Sequence, residues 1–280
     1  RDTFWAGLSM LPSNIIGRLF SDAPALILNL LLPGAAGAAA SGLFTIARKL
    51  SSVVQLVRIA FVYVMAPLAA SAEREDRAQV ADIYAYATRL ISAIALPLAA
   101  VLAAGSSSLL GLFGHQAHVA QGAVIILLFA RALEAVLGIS QPVLQVVAAF
   151  RHQLTAAILG VVVALASGWL ILGHLDALTG VTLAMSIGLV VMAGIPMVQL
   201  AMGERLHPFD QRFPKVALRG LLVTLAAGAL ALLVSRLPDA AALPLITVIA
   251  AGAIWSSLRF ALPHADRASL GKTARKLRLV

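Results

Sequence analysis

The chain has no cysteine, few aromatic residues and little charge. The missing cysteines exclude disulfides, thiolate metal sites and cysteine nucleophiles, and they say little about compartment. Charged residues make up 12% of the 280 positions, where a soluble domain carries about 25%. Aromatic residues account for only 6%. Soluble-enzyme motifs are missing as well. There is no HExxH, no nucleophile elbow and no pair of carboxylates suitably spaced for acid–base work, so no enzyme is expected. Gly271-Lys272-Thr273 has the end of a phosphate loop, but Asp266 stands where its first glycine belongs. His115 and His118 have no third ligand nearby, and no metal or cofactor is expected.

What the chain does have is apolar length. Hydrophobic residues make up 61% and the mean hydropathy is +0.96. No soluble fold of this size could hide that surface, and a membrane-spanning helix needs about 20 mainly apolar residues. The expected fold is all-α and polytopic, with about eight transmembrane helices near 10–32, 41–68, 80–104, 119–148, 153–175, 178–202, 216–235 and 242–262. The abundant alanine and glycine suit close helix–helix approach in lipid.

The loops between these runs alternate in charge. One set holds Arg1, Arg74, Arg77, Arg151, Arg205, Arg212, Lys215, Arg219 and a tail with Arg259, Arg267, Lys272, Arg275, Lys276 and Arg278. The other holds only Arg236. Positive loops stay cytoplasmic, so both ends of the chain are expected inside, and the net charge of +9 reads as membrane orientation rather than nucleic-acid binding. The chain opens on Arg1 with no signal-peptide pattern, and reads as a piece of a longer protein cut at its N-terminal side.

Six cations remain inside the spans: Arg18, Arg48, Lys49, Arg58, Arg89 and Arg131, accompanied by Asp22 and Glu134. A charge at the bilayer centre costs about 3 kcal/mol even on the lenient insertion scale, so such residues point to function. On a helical wheel they form stripes. Asn14, Arg18, Ser21, Asp22 and Asn29 share one face of the first helix; Ser41, Thr45, Arg48, Ser52 and Gln55 share one face of the second. Asp82, Tyr86 and Arg89 align on the third, and Arg131, Glu134, Gly138, Gln141 and Gln145 on the fourth, which Pro142 should kink. The stripes suit helices around a hydrated cationic cavity. Blander readings stand beside this. Arg18 with Asp22 and Arg131 with Glu134 could be charge-balancing pairs within one helix. Arg58 and Arg89 could snorkel to headgroups, and Lys49 lies off its stripe. Arg48 has no carboxylate on its own helix and is the leading candidate for ligand contact, followed by Arg18, Arg131, Gln55 and Gln141. Asp22 and Glu134 are candidates for ion coupling, and Arg58 and Arg89 are secondary cations.

Several stretches carry a family resemblance. LPSNIIGRLFSDAPALILNLLLPGAAG, SGLFTIARKLSSVVQLVRIAFVYVMAPLAAS, AEREDRAQVADIYAYATRLISAIALP, LLGLFG and QPVLQVVAAFRHQ follow one another as in polysaccharide flippases of the multidrug/oligosaccharidyl-lipid/polysaccharide exporter superfamily. The chain resembles the C-terminal part of such a protein. The resemblance implies a second six-helix lobe over 1–202, and a cytoplasmic loop, two extra helices and a basic tail over 203–280. It implies a missing N-terminal lobe of the same protein as partner, and residence in the bacterial inner membrane. The cargo it implies is a lipid-linked oligosaccharide with an anionic diphosphate, moved by alternating access with a coupling proton or Na⁺. Arginine suits that cargo because guanidinium binds phosphate through charge-assisted, often bidentate hydrogen bonds. The scarcity of aromatics departs from a sugar-lined cavity. A flippase for the peptidoglycan precursor fits the same features, and its extra C-terminal helix pair would suit the last two spans. A multidrug exporter of the superfamily would use acidic residues for cationic drugs. A membrane-embedded glycosyltransferase or polymerase would need a large outer loop or an acidic motif, and neither is present.

Overall fold

A computed structural model describes residues 15–17, 22–73, 77–147, 151–271 and 275–279. The described residues are mostly helical and contain no strand. A short apolar helix, α1 (Asp22–Leu31), is followed by α2 (Ala35–Glu73), α3 (Arg77–Ala104) and α4 (Ser106–Gly111). A 3₁₀ turn at His115–Ala120 leads into α5 (Gln121–Leu137) and α6 (Ser140–Val147). Then come α7 (Arg151–Ile171), α8 (Ala177–Gln199), α9 (Phe213–Val234), α10 (Asp239–Phe260) and a last short helix, α11 (His264–Ala268). Seven segments among the described residues are long and apolar enough to cross a membrane, and they match seven of the eight expected runs. Of the first expected run, the region from Asp22 to Leu31 is the described helix.

Helices form here because lipid offers no partner to backbone N–H and C=O groups, so each segment must satisfy its own. Local signals set the ends. Gly34 turns the chain between α1 and α2 at φ +62°, a conformation that suits glycine. The Asp176 carboxylate accepts from Thr179 N at 2.9 Å and caps α8. Asp239 sits in the first turn of α10 and Arg259 in its last, each on the side that the helix dipole favours. Pro142 ends a helix outright. α5 stops at Leu137, Gly138 and Ile139 form a turn, and Gln141 N bonds back to Gly138 O at 3.1 Å before α6 runs on. Proline lacks the donor and clashes with the carbonyl four residues earlier, so the expected kink is a break.

α3 is the central helix and is buried along most of its length, whereas α2 and α9 are largely exposed. It packs against α2, α5, α9 and α10. α9 and α10 contribute Ala227, Ala231, Ala242, Ile246, Ala250 and Ala253 to the same core as α2, α3 and α5. The α7–α8 pair is held close by Gly160, whose missing Cβ would stand 2.7 Å from Met192 Cβ and 3.0 Å from Gly188 O. Leucines along α9, such as Leu218, Leu222 and Leu225, face outward, as suits contact with lipid. Contacts between helix ends that are distant in sequence fall into two groups. Arg77 bonds Glu204 at 2.6 Å at one end, and Asp239 lies against Gly111 at the other. This partition agrees with the charge asymmetry between the loops.

Candidate functional site

The polar stripes of α1 and α2 meet each other. A tight turn joins the two helices antiparallel, so residues far apart in sequence face across the pair. Asn29 Nδ2 donates to Ser41 Oγ at 2.7 Å, and Ser41 Oγ donates to Ala25 O at 2.7 Å. Nearer the other end, Arg48 Nη1 donates to Asp22 Oδ1 at 2.5 Å. Gly37 permits the approach, since a Cβ there would stand 3.0 Å from Asn29 Cα. Arg48, which has no carboxylate near it on its own helix, therefore takes one from the neighbouring helix. Asp22, for which a pair with Arg18 on its own helix is the blander reading, holds Arg48; Arg18 lies outside the described residues. The Asp22 side chain is 68% exposed and that of Arg48 is 31% exposed, so this pair sits at an open edge.

A second cluster joins α2 to α5 and α6. Arg131 Nη1 donates to Glu134 Oε2 at 2.7 Å, as its i,i+3 spacing allows. The other oxygen, Glu134 Oε1, lies 3.2 Å from Arg58 Nη2, and Arg58 Nη1 donates to Gln141 Oε1 at 3.2 Å. Arg58 is thus drawn into the bundle rather than out to headgroups. The break at Gly138 makes room for it: a Cβ on that residue would lie 3.3 Å from Arg58 Cδ. Two guanidinium groups share one carboxylate, which leaves the cluster one positive charge in excess. The Nε atoms of Arg58 and Arg131 are buried and meet no acceptor. Buried donors left unmatched are costly in a low-dielectric interior.

Arg48 and Arg131 line a common hollow of about 30 Å³ with Pro24, Phe44, Leu127, Met185, Ser186 and Leu189. The Ser186 hydroxyl there is buried without a partner. One water needs about 10–15 Å³ by this measure, so the hollow holds about two. Gln55 is half-buried on α2, outside the residues that line the hollow, and Lys49 is exposed.

Arg89 goes elsewhere. Its Nε and Nη2 grip both oxygens of Asp266 at 2.6 and 3.0 Å, and its Nη1 bonds Asp210 at 2.7 Å. The side chain is 4% exposed, so this is a buried tie between α3, the loop after α8 and α11, not a snorkelling cation. A wide cleft of about 640 Å³ opens beside it, lined by Asp82, Tyr86 and Arg212 among others. Sequence reasoning found Arg89 but not Asp210 or Asp266. They lie 121 and 177 residues away, and no local spacing could have linked them.

The fold and its buried ion pairs define an all-α, multi-pass membrane protein. No protein-family profile, curated protein or solved structure matches the chain.

Proposed function

We propose that the protein is a transporter that flips a lipid-diphosphate-linked oligosaccharide across the bacterial inner membrane by alternating access. One observation carries the reading: two arginines from different helices, Arg48 and Arg131, line one hollow within the membrane-spanning bundle while carboxylates occupy their donors. Asp22 and Glu134 hold positions that phosphate oxygens would take, since both are oxyanions accepting from guanidinium. A hollow with room for about two waters cannot admit a diphosphate as it stands. Cargo enters by displacing the carboxylates, and Asp22 leaves Arg48 as α1 moves off α2. A proton or Na⁺ taken up by the released carboxylate would couple the two events. The positive-inside rule supports a cytoplasmic position for the basic end.

The test is export of a lipid-linked glycan in a bacterial strain lacking one defined flippase. Arg48→Ala and Arg131→Ala should abolish export while the protein still reaches the membrane. Undiminished export by both variants refutes the proposal. Rescue of a strain lacking the peptidoglycan-precursor flippase, and of no other, assigns that cargo instead.

A further inference from the structure

We infer that the hydrocarbon chain of the lipid diphosphate lies in a groove between α1, α7 and α8, beside the arginine hollow. The inference rests on the proposed function and names a second part of the same site. The groove measures about 240 Å³ and is lined by Ala23 and Ile27 of α1, Val161, Ala164 and Leu165 of α7, and Met185 of α8. Every side chain lining it is apolar. Such a space gives water no hydrogen-bond partner but suits hydrocarbon, which fills it by van der Waals packing.

Three features join the groove to the hollow. Met185 lines both, and Ala23 in the groove is followed in α1 by Pro24 in the hollow. Ala164 of the groove packs in one cluster with Leu189 of the hollow. An apolar groove therefore adjoins the hollow that two guanidinium groups line. A ligand complementary to both is amphiphilic, with an anionic head at Arg48 and Arg131 and an apolar chain along α7. Neither an inorganic anion nor a neutral lipid matches both halves.

The test compares two probes on the protein in nanodiscs: farnesyl diphosphate and inorganic diphosphate. Wild type should bind the farnesyl compound more tightly. Val161→Phe, which fills the groove, should weaken farnesyl diphosphate about tenfold by steric exclusion of the chain, and leave inorganic diphosphate unchanged. Ala164→Leu, on the same wall, should act in the same direction, and retained inorganic-diphosphate binding shows that either variant is folded. Arg131→Gln should weaken both probes. Equal wild-type affinity for the two probes overturns the groove assignment. So does a loss of both probes, or of neither, in the two groove variants. If wild type binds no inorganic diphosphate, the functional reading fails and the groove assignment with it; if it binds inorganic diphosphate without any gain from the farnesyl chain, only the groove assignment fails.

Discussion

Arg58 of α2 reaches Glu134 of α5 across 3.2 Å, on the opposite side of the carboxylate from Arg131. The two outer charges are therefore not equivalent. Removing Glu134 strands two cations, whereas removing Arg58 leaves a neutral pair. With side chains 6% and 8% exposed, Glu134 and Arg131 are well desolvated. Glu134→Gln should destabilise the protein by about 3–5 kcal/mol, as expected when a buried pair loses one partner. Arg58→Met should cost under about 1 kcal/mol, because an apolar side chain replaces an unneeded charge. Thermal unfolding of the purified variants measures the difference, and a reversed order would show that Arg58 is the true counter-charge.

The tie at Arg89 should hold the basic end together. Arg89→Gln leaves Asp266, 6% exposed, buried without its cation, at a cost of about 3–5 kcal/mol. The loop after α8 and the helix α11 should then loosen. Limited trypsin digestion should cut faster at Arg205, Arg212 and Arg267 than in wild type. An unchanged digestion pattern would mean that apolar packing of Leu258, Leu262 and Leu279 secures this end without the ion pairs.

Glycines on different helices should respond oppositely to a side chain. Gly160→Leu must fit where even a Cβ would stand 2.7 Å from Met192 Cβ, and should cost about 1–3 kcal/mol through overpacking of α7 on α8. Gly42 on α2 has nothing within 4 Å of its Cβ position. Gly42→Ala should therefore stabilise by about 0.5–1 kcal/mol through lower backbone entropy in the unfolded chain. Melting temperatures of the two variants should move in opposite directions.

Movement of α1 off α2 can be tested directly, because the chain carries no cysteine to interfere. Asn29→Cys with Ser41→Cys replaces a pair now hydrogen-bonded at 2.7 Å. A short, reducible thiol cross-linker should join the two and stop glycan export, and reduction should restore it. Export that continues with α1 tied to α2 would show that cargo does not enter by this route.

Much of the candidate site is legible in the sequence, because helical periodicity depends on nothing beyond a single segment. The stripe through Ser41, Thr45, Arg48, Ser52 and Gln55 is half-buried throughout, as one face of a helix should be. The pair Arg131–Glu134 is visible from its spacing alone. Hidden are the bonds between segments: Asp22 to Arg48, Arg58 to Glu134, and Arg89 to two distant aspartates. Each depends on which helices are neighbours and how each is turned about its own axis.

The sequence by itself determined a helical membrane protein, the position of its spans, the charge difference between its two ends and the residues that carry charge into lipid. Those follow from solvation: apolar length, backbone self-satisfaction and the cost of a charge act on each segment separately. Only the tertiary structure decided which carboxylate neutralises which arginine, that Arg48 and Arg131 share a hollow while Arg89 does not, and that an apolar groove adjoins that hollow. Charges attract over any separation in sequence, and packing alone chooses which of them come within a hydrogen bond.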